Sequence, residues 1–319
     1  MEDRIITYGG QALIEGVMMR GQRAAAAAMR APNGEIVIYT EKLGGIYHSR
    51  IAKIPFVRGV ILLWDALGLG MRMLTLSANT QTGEDEKLEG PALYLTLGLS
   101  MLFAIALFFL TPYGVGELVK WLFNLSTAQS AGAAHLASAA SAPAAPPLFG
   151  PAVWVAAAAE GITRLALLVG YIWAIGQIED IKRVFQYHGA EHKTINAFEA
   201  GAELTPESVA KFPLEHPRCG TSFLLTLVVL TVLVFSFLHP LPVWMQILGR
   251  IVLIPVLAGV AVEYIRWTAN NLASPLVRAI VRPNLALQRL TTREPDHKML
   301  EVSIAAFQSM RKAEQDFAA

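Results

Sequence analysis

The stretch Ser222–Leu238, SFLLTLVVLTVLVFSFL, runs seventeen residues without a charge and stops at His239-Pro240. As a helix it is long enough to reach across most of the roughly 30 Å hydrocarbon core of a bilayer. Three further runs have the same character. Residues 92–110 end at Thr111-Pro112, and residues 243–262 are interrupted only by Gln246 and Arg250. The remaining run covers residues 161–178, with a start as early as Val153 because residues 152–159 are apolar but Ala-rich. The 319-residue chain is 54% hydrophobic and only 16% charged, against about 25% charged in a soluble domain. The expected fold class is therefore mainly α: a polytopic membrane protein with about four transmembrane helices and a small cytoplasmic α+β portion. A net charge of +1 supplies no global field for nucleic acid. A single cysteine, Cys219, excludes an intrachain disulfide and fits a reducing face or a metal site. Residues 1–21 are polar and Gly-rich, without the apolar core of a cleavable signal peptide.

The basic residues orient the spans. Ten Lys/Arg lie in residues 1–90, five in 177–220 and eight in 266–319, whereas 111–150 holds only Lys120 and 239–242 holds none. The positive-inside rule then puts both termini and the 177–220 segment in the cytoplasm. Three regions follow: a cytoplasmic N-terminal part (1–90), a four-helix transmembrane part (91–265) carrying a cytoplasmic segment at 179–220, and a helical cytoplasmic C-terminal part (266–319). Residues 126–151, rich in Ala, Ser and Pro, are expected to form a flexible outer loop in which His135 is a bystander. In the N-terminal part, residues 24–29 and 35–40 flanking Asn33-Gly34 predict a β-hairpin. Residues 54–77 predict a helix with Arg58, Asp65 and Arg72 in one polar stripe, either interfacial or packed on the cytoplasmic part.

Chemistry concentrates at Tyr187-His188-Gly189-Ala190-Glu191-His192-Lys193. His188 and His192 are four apart, so on a helix they share a face and can hold one metal ion. Glu191 stands where a base acting on metal-bound water is needed, the inverted zinc-protease pattern H-x-x-E-H. Glu199 falls within about 40° of the pair on a helical wheel, and Asn196 a little further round. Catalytic zinc usually has three protein ligands and an open position. The expected source of another is His216-Pro217-Arg218-Cys219, where His216 and Cys219 are three apart and a thiolate favours zinc. The competing reading is a pair of histidines on a solvated juxtamembrane helix.

Other candidates are weaker. Glu263 ends the fourth span and is either a site residue or a partner of Arg266. Glu301 follows Asp296 and His297 near a final helix that Pro295 is placed to start, where acidic residues are ordinary dipole partners. Glu15 sits in the Gly-rich stretch 9–21, which lacks the ending of a phosphate loop; its glycines predict tight turns and close backbone approach. Glu160, Arg164 and Arg250 lie inside spans and are expected either to form local ion pairs or to line a small outer vestibule.

The blocks GGQALIEGVMMRG (9–21), PFVRGV (55–60), YHGAEHKTINAFEAG (187–201), HPRCGTSFLL (216–225) and LQRLTTREPDHKMLEV (287–302) together resemble the YqhQ-like family of bacterial membrane proteins. The resemblance covers nearly the whole chain except the Ala/Pro-rich loop. It implies membrane location, metal-dependent enzyme chemistry, and membership of His188, Glu191, His192, His216 and Cys219 in the family signature. The leading functional reading is a hydrolase with a divalent metal, zinc above others, acting on a lipid-linked molecule or membrane peptide. The alternatives are a non-catalytic scaffold with structural zinc and an ion-handling protein using Glu160, Arg250 and Glu263.

Overall fold

A computed structural model of the protein describes residues 8–44, 54–82, 90–135 and 150–317. The hairpin foreseen from Asn33-Gly34 is present as β3 (Ala24–Arg30) and β4 (Ile36–Lys42), paired antiparallel from Arg30↔Ile36 outward. Gly34 takes φ +88, which a turn residue with a Cβ would adopt only under strain. Two more strands, β1 (Gly9–Leu13) and β2 (Gly16–Arg20), complete a four-stranded antiparallel meander ordered β1-β2-β3-β4. The Gly-rich stretch is thus mostly strand rather than turn. Close approach explains its glycines: a Cβ on Gly16 would collide with the Ala28 carbonyl of the next strand. The two-residue connection Ile14-Glu15 carries Glu15 at φ 52, and the Glu15 carbonyl accepts from the Arg30 N–H at 2.8 Å.

The sheet is covered on both faces, so every residue from Ala24 to Met29 is fully buried. Val17, Met19, Ala26 and Ala28 pack with α10 (His297–Asp316) and α5 (Glu179–Glu199). Leu13, Met18, Ala25, Ala27 and Met29 pack with Leu69 and Met73 of α1 (Val57–Thr82). This is the period-two alternation of a strand, written almost entirely in alanine. The second half of α1 is therefore packed on the sheet, while Val57, Val60, Trp64 and Leu67 in its first half are exposed. Of the polar stripe, Arg58 pairs with Glu263 and Arg72 with Glu41; the Asp65 side chain lies outside the described residues.

Among the described residues, four helical segments are long and apolar enough to cross a membrane: Tyr94–Ser126, Pro151–Ile175, Gly220–Leu238 and Val243–Asn270. The first exceeds its expected end. It runs as α2 (Gly90–Ile105), one π turn (Ala106–Leu110) and α3 (Thr111–His135), straight through Thr111-Pro112. A π turn explains the passage. The Thr111 N–H and hydroxyl both return to the Ala106 carbonyl, and the widened turn leaves room for the proline ring. Residues 126–135 are consequently helical rather than loop, and 136–149 lie outside the described residues. The second span is α4 (Pro151–Ile175), which takes the earlier of the two starts; the third is α7 (Gly220–Phe235) closed by a 3₁₀ turn; the fourth is α8 (Val243–Asn270), longer than expected. Between them stand the short α6 (Pro206–Val209) and, after α8, α9 (Pro275–Thr291).

The chain divides into two compact units. One holds residues 1–90, 172–226 and 258–319; the other holds 91–171 and 227–257. Inside the second, the Glu160 carboxylate accepts from Arg164 one helical turn on (2.6 Å) and from Arg250 of α8 (2.9 Å), with His239 Nε2 at 3.0 Å. The Arg250 guanidinium lies over Tyr113 of α3, 4.6 Å from the ring centroid. The pair expected within one helix is thus a cross-brace linking three spans. Glu160→Gln leaves two buried guanidiniums without their shared counter-charge and should cost about 3–5 kcal/mol. Glu117→Gln, at a half-buried carboxylate paired with Lys120, should cost under about 1 kcal/mol. Unfolding midpoints in detergent test the contrast, and equal midpoints would reduce the brace to an incidental pair.

Candidate metal centre

The candidate site is built on α5, which does not continue the second span. Ile178 is extended at its N-cap, so α5 starts afresh with Glu179 and Asp180 in its first turn, where acids suit the helix dipole. His188 and His192 stand one turn apart with ring centroids 4.4 Å from each other. Each Nδ1 meets a backbone carbonyl: His188 that of Thr291 at 2.9 Å, His192 that of Leu214. A carbonyl only accepts, so both Nδ1 atoms carry the proton and both Nε2 atoms present a lone pair. This tautomer and this restraint are those of metal-binding histidines, whose far nitrogen donates to a carbonyl or carboxylate.

Cys219 lies beside both histidines. His188 Nε2 lies 3.3 Å from Sγ, and the donor atoms of His188, His192 and Cys219 all fall within 4.8 Å of one another. Cys219 immediately precedes α7, and the Thr221 N–H donates to Sγ at 3.3 Å. His192 Nε2 is buried without a hydrogen-bond partner, an unusual state for a native polar atom.

His216, the other donor expected from the loop, turns elsewhere. It is buried, with Nε2 3.8 Å from the Glu199 carboxylate, which also pairs with Arg218. Burial lowers the His216 pKa against the opposing hydrogen bond to Glu199. Burial would raise Glu199, but the His216 hydrogen bond and the Arg218 charge outweigh it and hold the carboxylate low. Asn196 sets the loop, donating to the carbonyls of Pro213 (2.9 Å) and Glu215 (3.1 Å).

Glu191 is buried on a different side of α5. A Cβ on Gly10 of β1 would come within 2.8 Å of its Cδ, so the strand's glycine makes room for the carboxyl. Burial pushes its pKa up to about 7, against the charge of His188 and a hydrogen bond from the Gly10 N–H. Its Oε2 has no partner, and its oxygens are not among the converging donors. Three further candidates stand apart from the cluster. Glu15 accepts from Arg183 and from the Tyr187 hydroxyl (3.3 Å), Glu263 pairs with Arg58 and also feels the Arg266 charge, and Glu301 pairs with Arg30 at the surface. Asp296 caps α10 by accepting from the Met299 N–H, so Pro295 precedes the cap rather than starting the helix.

Sequence reading missed three residues that hold the cluster. Gln288 of α9, fully buried, accepts from the His216 N–H (2.9 Å) and donates to the His216 carbonyl and the Ser222 hydroxyl (2.8 Å each). Lys193 donates to the carbonyls of Ala210 and Phe212 and pairs with Glu294 at 3.0 Å. Thr291 offers its carbonyl to His188 and shares a hydroxyl hydrogen bond with Thr221 at 3.3 Å. A lysine directly after the second histidine was a legible signal; a glutamine 96 residues downstream of that histidine was not. Gly189, between the histidines, has its own constraint: a Cβ there would strike the Arg293 carbonyl and lie 2.8 Å from Leu214 Cδ2. Gly189→Ala should therefore push the 291–294 segment off α5 at a cost of about 1–3 kcal/mol. Unfolding of this variant at the wild-type midpoint would refute the close contact.

The chain belongs to the family described as protein of unknown function DUF1385, whose model matches residues 54–313. That stretch contains α5, the His-Pro-Arg-Cys loop and α9, but not the sheet. The uncharacterized protein YqhQ of Bacillus subtilis (strain 168) is 34% identical over 324 residues, covering 96% of this chain and 93% of that protein. No solved structure matches.

Proposed function

We propose that this membrane protein is a metal-dependent enzyme in which His188, His192 and Cys219 hold one divalent ion, with hydrolysis of a membrane-associated substrate as its reaction class. The observation that carries the reading is the buried, unpartnered Nε2 of His192, in a cluster with His188 and the Cys219 sulfur where both histidine Nδ1 atoms are tied to carbonyls. Leaving a buried nitrogen unpaired costs about 1–3 kcal/mol. A cation would turn that cost into a bond. Two imidazoles and a thiolate suit zinc better than magnesium or calcium, which take oxygen donors. The donor count favours an open site over a closed structural one. Among the described residues three donors converge, and His216 is committed to Glu199 and Arg218.

Bound there, the ion would supply Lewis acidity towards a carbonyl or phosphoryl oxygen. The chain's own residues supply the rest. Nδ1–carbonyl bonds fix the ring planes, Asn196, Lys193 and Gln288 hold the loop that carries Cys219, and burial excludes water from His192. Glu191, with one buried carboxylate oxygen unpaired, would in this reading take or give the proton; Arg183 and Tyr187 are engaged by Glu15.

Metal analysis of purified protein tests this. Wild type should carry about one zinc per chain; His188→Ala, His192→Ala and Cys219→Ser should each lose it, while His216→Ala should retain it. Glu191→Gln should keep the metal and abolish cellular function. Wild type purified from zinc-replete cells without metal would overturn the reading, and a metal-loaded Glu191→Gln that is fully functional would favour a structural zinc in a scaffold.

The Lys/Arg asymmetry supports a site on the cytoplasmic face of a bacterial inner membrane, with both termini cytoplasmic. Reporter fusions at residues 135 and 205 should then report opposite sides of the membrane. Both on one side would refute this orientation.

A further inference from the structure

The outer face of α9 carries a charge pattern that the metal reading does not use. Val277, Val281, Asn284, Leu287, Gln288 and Thr291 form its buried face. On a wheel at about 100° per residue, Arg278, Arg282 and Arg289 fall in one row within about 40°. Beside that row, across about 120°, lie exposed Leu276, Ala279, Ile280, Pro283 and Ala286. Leu276 is 68% exposed and Ile280 41%. The helix holds no acidic residue. Arg289 pairs with Glu215, whereas Arg278 and Arg282 have no ion pair among the described residues.

The place of α9 in the chain says what covers this face. It begins at Pro275, five residues after α8 ends at Asn270, so its start lies within about 18 Å of the end of a membrane span. Trp267, half-exposed in the last turns of α8, is the residue type that marks a membrane–water interface. A helix tethered there, with a row of arginines of which Arg278 and Arg282 have no ion pair among the described residues, beside an apolar strip, has the pattern of an interfacial helix: the strip enters the acyl boundary and the guanidiniums reach phosphates.

We propose that α9 lies in the headgroup layer and that Arg278 and Arg282 bind anionic phospholipid. The buried face of the same helix holds Gln288 against His216 and presents the Thr291 carbonyl to His188. One helix thus joins the bilayer surface to the His/Cys cluster, so that anionic lipid bound outside stiffens the support of the cluster inside. The proposal stands on the membrane spans and does not depend on whether a metal binds.

Native mass spectrometry of the full-length protein in mild detergent tests it, with phosphatidylglycerol and phosphatidylcholine added separately. Wild type should retain phosphatidylglycerol preferentially, and Arg278→Gln/Arg282→Gln should weaken that retention by roughly tenfold or more, at about fivefold per arginine. Lys312→Gln, an exposed charge removed from α10, should not weaken it. In nanodiscs, hydrogen exchange of residues 275–286 should slow with phosphatidylglycerol relative to phosphatidylcholine. Equal retention by wild type and the double variant, an equal loss in Lys312→Gln, or identical exchange in both lipids would each overturn the proposal. Competition by soluble glycerol phosphate with the same arginine dependence would do so too, by reassigning the row to a soluble anion.

Discussion

The arrangement depends on the burial of a polar helix. Residues 187 and 189–195 of α5 are all buried, among them Tyr187, Glu191, His192, Lys193 and Thr194. Each polar group so enclosed must find a partner or carry a cost of a few kcal/mol. The surrounding elements are shaped by that demand. Thr194 shares a hydrogen bond with Ser303 of α10, and Ser303 also donates to the Ala190 carbonyl. Lys193 spends its ammonium on two loop carbonyls, and Asn196 takes two more. The exceptions are His192 Nε2 and one oxygen of Glu191. Where nearly everything else on a buried helix is satisfied, two unpaired atoms one residue apart mark the place where something outside the chain is expected.

The close fit around α5 comes from small residues. Ala24–Ala28 would rank among the best helix formers by propensity, yet they form the most buried strand of the sheet. A strand of alanines lets helices approach both faces, and Gly10 gives the Glu191 carboxyl the volume that a side chain would fill. On the opposite side of the helix Gly189 admits the 293 carbonyl. The helix is thereby gripped closely on two sides, and the rotation that places both histidines beside Cys219 is fixed by contacts that carry no charge.

Much of this was legible in the chain, for local reasons. Apolar runs announce spans because hydrocarbon admits little else, and the i, i+4 histidines announce a shared face because the helix period is fixed. The β3–β4 hairpin was legible because Asn33-Gly34 demands its turn. β1 and β2 were not, since glycines hide the alternation that identifies a strand. The end assigned to the first span at Pro112 failed because a π turn, which leaves no mark on composition, absorbs the ring. At the site, proximity in sequence favoured His216 and Cys219 equally. The choice between them rests on Glu199 and Arg218, which engage His216 Nε2 although its ring centroid stands 5.7 Å from that of His192, and no spacing rule contains that competition.

The donor set also constrains what chemistry the cluster can support. Carbonyls, rather than carboxylates, back both histidines, so no added negative charge stands behind the imidazoles. One sulfur is then the only anionic donor. A divalent ion held by two neutral nitrogens and one thiolate keeps a net charge near +1, more electrophilic than one held by several thiolates and less readily satisfied without a further anionic ligand. Electrophilicity of that kind is useful to a site that polarises a substrate oxygen and wasteful in one that only staples a fold. The backbone carbonyls behind the histidines therefore weigh on the same side as the donor count, and they do so through a property of the second nitrogen of each ring that the motif H-x-x-E-H does not encode.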